Sequence, residues 1–182
     1  MINELSVSPK PQNRSAHICC AAFMSCFALC VVVYLSLDVY KGVVGLLSLV
    51  FLTVGIMLYT RYISVKYYYD VTFDENSKAV FVVRQLVGRR QTTLCCIYLS
   101  MVTSITRETK EERKAHKTPL GVRKYNYTPT LIPDLTYRIF SKSRVETCEI
   151  CVEISDEYAR LFAEYVEEAK AIAKIAEETE QF

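Results

Sequence analysis

The sequence predicts a membrane α-hairpin followed by an α+β domain, on three observations. Residues 16–37 form an apolar run of 22 residues without a formal charge, and residues 42–59 form a second run of 18. As helices these runs would be about 33 and 27 Å long, close to the roughly 30 Å of a bilayer's hydrocarbon core. In the 122 residues from 61 to 182, a series of strand signals precedes one amphipathic helical segment.

The distribution of basic residues gives the orientation of the hairpin. Lys10 and Arg14 precede the first run and Arg61 and Lys66 follow the second, whereas the short connecting turn has only Lys41. By the positive-inside rule, we expect a multi-pass protein of the cell membrane with its N- and C-termini in the cytoplasm. A cleaved signal peptide is the rival interpretation of the first run. Such peptides have an apolar core of roughly 7–15 residues, and here a second apolar run follows at once.

The chain therefore divides into a disordered N-terminal tail at 1–15, two membrane helices within 16–60, and a cytoplasmic domain at 61–182. The tail contains two prolines and several serines. Residues 61–154 carry 16 basic and 10 acidic side chains, and residues 155–182 carry 3 and 8. A basic body with an acidic end indicates an anionic surface nearby and no nucleic-acid-binding arm.

Seven strand signals, separated by turn residues, lie between the hairpin and the C-terminal helix. In the last of them, Glu149 belongs to polar positions that alternate in part with apolar ones, as in a half-buried strand. The segment 107–117 is almost wholly polar and is predicted to be an exposed loop. The predicted strands cover residues 64–73, 78–87, 91–98, 101–106, 122–128, 136–141 and 146–154.

From Ser155 the apolar period becomes that of a helix, predicted to cover 155–179. Ser155 is a good N-cap, and Asp156 and Glu157 place negative charge in the first turn, where the helix dipole favours it. This helix should pack its apolar stripe against the sheet system, with Leu161 and Phe162 buried. The stripe consists of Tyr158, Leu161, Phe162, Tyr165, Val166, Ala169, Ile172 and Ala173.

Seven strands followed by one helix is the order of the pleckstrin-homology (PH) fold. Three segments carry a closer resemblance: RYISVKYYYDVTFDENSKAVFVVRQLVGRRQTTLCCIYLSMVTSI, KYNYTPTLIPD and CVEISDEYARLFAEYVEEA. From residue 67 to 182 the chain resembles the bacterial PH-like domain of small two-helix membrane proteins, including the YcxB-like group. The resemblance implies a PH-like, seven-stranded antiparallel sandwich or barrel capped by a C-terminal helix, and a membrane location.

Small residues recur along both predicted membrane helices at spacings that allow close helix packing. In the first helix they are Ala22, Cys26 and Cys30, and in the second they are Gly45, Ser48 and Gly55. The other helix of the hairpin is the expected partner of each stripe, and a homodimer seam is the alternative. The stripes could also be incidental and face lipid.

The basic turns are the main functional indication. The first strand begins about five residues after the second membrane helix ends, so an up-and-down order of strands returns Arg89 and Arg90 to the membrane side. The next strands run away from the membrane and back, which brings Arg113 and Lys114 to the membrane side as well. These four residues are candidate contacts for anionic lipid, at about 1 kcal/mol each. The alternative is that they only set the topology and form no headgroup pocket.

No pattern in the sequence indicates an enzyme, a cofactor or a metal site. The two histidines, His17 and His116, belong to no ligand or nucleophile–base pattern and are interpreted as an interfacial and a solvated residue. Cys148 and Cys151 have CxxC spacing, but three residues apart in a strand they point to opposite faces. We expect no catalytic residue, metal, cofactor, nucleic acid or small-molecule substrate.

The whole sequence predicts a non-enzymatic integral membrane protein. Its PH-like domain would act as a membrane-proximal binding or scaffolding module for a protein partner or anionic lipid, with a homodimer among the alternatives. The rival hypothesis is an accessory subunit of a membrane transport or export system. Neither apolar run contains an Asp, Glu, Lys or Arg that would mark a transport pathway, which weighs against the rival.

Overall fold

The computed structural model describes residues 5–9, 13–36, 40–143 and 146–180, with side chains as far as Ala176. Lys10 of the orientation argument lies outside the described residues. The chain divides into two compact units, a helical unit and a sheet unit. The helical unit is Pro11–Val65 with Pro129–Leu131, and the sheet unit is Met1–Lys10, Lys66–Thr128 and Ile132–Phe182.

Two apolar helices dominate the helical unit. They are α1 (Arg14–Ser36) and α2 (Lys41–Leu58), and α2 continues into a π-helical turn at Tyr59–Ile63. By length and composition, these are the two helices of the described chain able to cross a membrane. Each is 23 residues long when α2 is counted together with its π-helical turn, and their mean hydropathies are 2.5 and 2.3. Two such helices provide for two crossings, so the expectation of a multi-pass protein is not supported.

The described residues form eight strands and two further helices. Each of the seven predicted strands corresponds to one of the last seven observed, and a 3-10 turn at Leu99–Met101 separates the two sheets. The elements are β1 (Leu5–Val7), β2 (Val65–Phe73), β3 (Ala79–Val87), β4 (Arg90–Tyr98), β5 (Val102–Thr109), α3 (Lys110–Ala115), β6 (Arg123–Asn126), β7 (Leu135–Lys142), β8 (Thr147–Val152) and α4 (Asp156–Glu180).

The first sheet has the strand order β1-β2-β3-β4. Its edge strand β1 pairs antiparallel with β2, from Leu5 opposite Val71 to Val7 opposite Tyr69. The sequence predicted a disordered tail here. Three residues are too few for a periodic signal, and the strand exists because β2 offers it a partner rather than because of its own composition.

The second sheet has the order β5-β7-β8-β6. Because β7 pairs with both β5 and β8, β6 is left at the outer edge of β8 and runs parallel to it, from Arg123 opposite Cys148 to Asn126 opposite Cys151. The sheet unit is therefore not wholly antiparallel, contrary to what the resemblance implied.

The polar segment 107–117 is the end of a strand followed by a short helix rather than a loop. β5 continues to Thr109, and a capping box starts α3. The Glu112 carboxylate accepts a hydrogen bond from the Thr109 N–H at 2.8 Å, and the Thr109 hydroxyl accepts one from the Glu112 N–H. Two otherwise unsatisfied backbone donors are thereby paired, which is enough to start a helix in a charged sequence.

The C-terminal helix begins as its sequence predicts and covers the core. The Ser155 hydroxyl accepts a hydrogen bond from the Tyr158 N–H at 3.1 Å. Phe162 is fully buried and its ring centroid lies 5.0 Å from that of Phe81, whereas Leu161 is half-buried and Ile172 is exposed. Other core residues are Tyr67, Tyr69, Val71, Val83, Ile139, Ile150, Val152 and Val166.

Candidate functional site

The first basic turn joins β3 to β4. The pairing of these strands ends with Val87 opposite Arg90, so Gly88 and Arg89 are the central residues of a two-residue hairpin turn. Gly88 has a φ of +60° and Arg89 has no positive φ, the type II′ pattern, which favours glycine at the first position. Arg89 and Arg90 are exposed, and neither forms an ion pair with another described residue.

This turn lies at the end of the first sheet where β2 begins. β2 and β3 are neighbours joined by a turn, in which the Asp74 N–H donates to the Lys78 carbonyl oxygen at 3.0 Å. Two strands joined by such a turn run antiparallel, so the end of β3 lies beside the start of β2. Arg89 and Arg90 therefore project from the sheet end that follows the second apolar helix in the chain.

The second pair of basic candidates lies on α3 and is only partly free. Arg113 is half-buried and donates to the Pro133 carbonyl oxygen at 2.7 Å and to the Thr136 hydroxyl at 3.4 Å. Lys114 is exposed. Arg113 thus ties α3 to the loop before β7, a structural role that the charge count did not predict, while Lys114 keeps its charge in solvent.

The small residues of α2 meet large residues of α1. A Cβ added to Gly55 would lie 3.0 Å from the Met24 sulfur, and one added to Gly45 would lie 3.5 Å from the Tyr34 ring. The Cys20 thiol donates to the Gly55 carbonyl oxygen at 3.6 Å. Gly55 is buried in the described unit, as expected of a close helix approach.

On α1 the predicted stripe is largely not the packing face. Ala22 and Cys26 are exposed and Cys30 is half-buried. The helix instead presents larger side chains to α2, and the rings of Phe23 and Phe51 lie 6.0 Å apart. Glycines on one helix make room for large residues on the other, so a small-residue stripe is needed on one side only. Ser48 is half-buried and donates within its own helix to the Gly45 carbonyl oxygen.

Asn13 joins three segments of the helical unit. Its side-chain amide nitrogen donates to the Tyr62 carbonyl oxygen at 2.5 Å and to the Pro129 carbonyl oxygen at 2.8 Å. Its amide oxygen accepts from the Leu131 N–H at 3.2 Å. Asn13 is only 6% exposed. The segment 129–131 is thereby held against the start of α1 and the end of the π-helical turn.

A buried ion cluster occupies one face of the second sheet. Glu149 of β8 is fully buried, and Arg138 of β7 and Lys124 of β6 place nitrogens 3.3 and 3.5 Å from its carboxylate. Arg138 also pairs with Glu108 of β5, which is buried as well. Two buried carboxylates are thus compensated by the buried Arg138 and by Lys124, whose side chain is 40% exposed, so the cluster has no net excess of charge.

His116 covers this cluster from the segment after α3. Its Nε2 lies 3.3 Å from the Glu149 carboxylate, so it is not the solvated loop residue that the sequence predicted. Cys151 is buried next to Glu149 and Cys148 lines a cleft on the other side, in keeping with opposite faces of a strand. Among the described residues, no group of three or more His, Cys, Asp or Glu side chains is arranged to hold a metal ion.

Comparison with family models, curated proteins and solved structures finds no match to this chain. The observed architecture consists of two long apolar helices, two four-stranded sheets and a C-terminal helix.

Proposed function

We propose that this chain is a non-enzymatic, membrane-anchored binding module. In this proposal α1 and α2 cross the cell membrane as a two-pass hairpin, and a PH-like domain lies at the cytoplasmic surface. There it would bind a protein partner, anionic lipid, or both. The apolar surfaces of the two helices support the membrane assignment, because Leu35 and Val43 are 76% and 68% exposed within the described structure and need an apolar environment.

The observation that carries the proposal is the pairing of β1 with β2. These strands precede and follow the two apolar helices in the chain, yet they are neighbours in one sheet. A hydrogen-bonded sheet cannot have a bilayer between its strands, so both strands lie on one side of the membrane. Two crossings satisfy this condition and a single crossing does not.

The charges of the flanking residues support a cytoplasmic side for the sheet unit. Arg14 begins α1, and Arg61 and Lys66 follow α2, against Lys41 alone at the connecting turn. Single cysteines introduced in a cysteine-free background test this orientation. With an impermeant thiol reagent on intact cells, Tyr40→Cys should be labelled and Lys114→Cys should not. Labelling of Lys114→Cys and not of Tyr40→Cys would mean that the protein has the opposite orientation in the membrane.

The exposed turn at Arg89 and Arg90 supports anionic lipid as one ligand. Each cation near the membrane surface contributes about 1 kcal/mol, and less as salt rises, because exposed charges are screened. The full chain in nanodiscs of phosphatidylcholine and phosphatidylglycerol should retain phosphatidylglycerol preferentially in native mass spectrometry. Arg89→Gln/Arg90→Gln should lose most of that preference.

A matched control removes two charges from elsewhere on the sheet unit. Lys78 and Lys142 are exposed, and Lys78 lies at the opposite end of the first sheet. Lys78→Gln/Lys142→Gln should keep the preference for phosphatidylglycerol. Equal loss in both double variants would mean that only total charge matters, and the turn would then have no role in lipid binding beyond setting topology.

A further inference from the structure

A cleft of about 450 Å³ runs beside β4 in the sheet unit. One wall consists of the five consecutive residues 94–98, and the facing wall includes Tyr125, Tyr127 and Cys148. Side chains alternate between the two faces of a strand, so a cleft above one face would be lined by every second residue. Lining by all five places this cleft along the edge of β4, where its backbone groups lie.

The edge of β4 is open in the described structure. β4 is the last strand of its sheet and pairs with β3 alone. A nine-residue strand with one unpaired edge presents a row of N–H and C=O groups, which an extended segment satisfies better than a compact ligand. One of these groups is already used, because the Tyr127 hydroxyl donates to the Leu94 carbonyl oxygen at 3.4 Å.

The facing wall matches the repeat of an extended chain. The rings of Tyr125 and Tyr127 are parallel to within 7° and their centroids lie 6.1 Å apart. Alternate side chains of an extended segment repeat at roughly 6.6 Å, or two rises of about 3.3 Å. Apolar side chains on one face of such a segment can therefore meet successive rings.

Two carboxylates lie at or next to the cleft, in contrast to the basic body of the domain. Glu146 lines the cleft, and Asp74 accepts a hydrogen bond from the hydroxyl of the lining residue Tyr98. Burial and then Glu146 raise the pKa of the Cys148 thiol, and burial and then Asp74 raise the pKa of Cys96. Both carboxylates are therefore close enough to the cleft thiols to act on them.

The Glu146 carboxylate has two partners, Arg123 and the Tyr125 hydroxyl, which donates to it at 3.3 Å, and the Arg123 pair is weakly held. Arg123 Nε lies 3.3 Å from the Glu146 carboxylate, but 72% of the Arg123 side chain is exposed. An ion pair so open to solvent contributes little. A basic side chain brought by a ligand into the cleft can replace it at small cost.

We propose that the cleft beside β4 binds an extended peptide segment of a partner protein, added as a further strand to the β4 edge. Its alternate apolar side chains face Tyr125 and Tyr127, and a basic side chain lies next to Glu146. This inference rests on the proposed function as a binding module and adds the site and the chemistry of the protein partner.

The probe for the test is a displayed library of random decapeptides, selected on the full chain in nanodiscs. Selected peptides should alternate apolar and polar residues and carry Lys or Arg near one end. Glu146→Gln and Tyr125→Ala should each weaken a selected peptide by about tenfold. Leu120→Ala, a change at a fully exposed turn residue, should leave the affinity unchanged. Selected peptides that bind all four proteins equally would overturn the proposal.

A second measurement acts on the peptide and does not depend on the folding of a variant. N-methylation removes one backbone donor at a time. Strand addition requires that methylation at every second position abolishes binding and that the positions between are tolerated. Uniform tolerance, or a loss without period two, would contradict strand addition. The phosphatidylglycerol preference of Tyr125→Ala should remain at the wild-type level. A failure of the peptide-binding proposal can therefore be distinguished from a failure of the lipid-binding proposal.

Discussion

The side-chain amide of Asn13 donates a 2.8 Å hydrogen bond to the carbonyl oxygen of Pro129, which lies 116 residues further along the chain. The same side chain bonds Tyr62 and Leu131. One buried amide thus satisfies three backbone groups from two distant segments. Buried polar groups without partners are costly, so each of these segments depends on Asn13.

Replacing Asn13 should release the segment 129–131. Asn13→Ala leaves two carbonyl oxygens and one N–H without their partner, at a cost of roughly 1–3 kcal/mol. Hydrogen exchange of the Leu131 amide should become faster in the full chain in nanodiscs. Asn76→Ala, in an exposed turn, is the matched control and should not change it. An unchanged Leu131 rate would mean that the segment is held by other contacts.

The α4 contact should depend mainly on Phe162. Phe162→Ala removes a fully buried ring beside Phe81 and Tyr158, and should lower the free energy of unfolding by roughly 3–5 kcal/mol in denaturant. Ile172→Ala, on the exposed face of the same helix, should cost under about 0.5 kcal/mol. A loss below about 1 kcal/mol for Phe162→Ala would mean that α4 is not docked through this face.

The ion cluster should be intolerant of the loss of its central carboxylate. Glu149→Gln leaves the buried Arg138 and its neighbour Lys124 without their shared anion, and should cost roughly 3–5 kcal/mol. Glu164→Gln removes an exposed carboxylate of α4 and should have a small effect. Thermal unfolding of the two variants is the comparison. Equal transition midpoints would show that the cluster adds nothing to stability.

Close packing of the hairpin should depend on Gly55 and not on Gly42. A Cβ at Gly55 meets Met24 and Phe23, whereas one at Gly42 meets no atom within 4 Å. Gly55→Leu should therefore destabilise the helical unit by roughly 1–3 kcal/mol through overpacking, and Gly42→Leu should not. Thermal stability of the full chain in one detergent measures both. Similar values for the two variants would contradict the observed helix contact.

Adjacent cysteines of β4 should differ in alkylation rate. Burial, then Cys148 and Cys96, raises the pKa of Cys95 to about 12, and Cys96 is exposed with a smaller upward shift. The thiolate is the nucleophile, and raising the pKa lowers its fraction at a given pH. Near pH 8, Cys96 should react with iodoacetamide before Cys95, and the Cys95 rate should rise about tenfold per pH unit up to pH ~12. Mass spectrometry of each peptide measures this; faster labelling of Cys95 would contradict its burial.

The sequence predicts the elements well where a periodic pattern of apolar residues determines them. The apolar runs, the seven strands β2–β8 and the stripe of α4 are of this kind. The sequence did not predict β1, because three residues are too few to show an alternation of apolar and polar positions. It did not predict that β6 is parallel to β8, because the order in which strands pair is not a local property of the sequence. Both features depend on strands that pair across many residues of the chain, and a pattern read from neighbouring residues does not contain that information.

The sites were harder to predict, for a related reason. Glu149 alternates with apolar residues, which indicates that its face of β8 is exposed to solvent. In the structure His116, from the segment after α3, covers that face and Glu149 is buried. Asn13 is an ordinary tail residue in the sequence, and only its contacts with Pro129 and Leu131 give it a role. Arg113 is a candidate lipid contact in the sequence, whereas in the structure it donates to the Pro133 carbonyl oxygen. In each case the deciding partner is far away in the chain.

The pairing of β1 with β2 has a consequence for the synthesis of this protein. Residues 5–7 leave the ribosome before both apolar helices, and their partner strand emerges only after them; Ser6 bonds Asp70 at a separation of 64 residues. If α1 and α2 cross a membrane as proposed, the first sheet can be completed only when β1 is on the same side of that membrane as β2. A chain in which only one of the two helices crossed would leave β1 and β2 on opposite sides and lose the edge of that sheet, so folding itself discriminates against a single crossing.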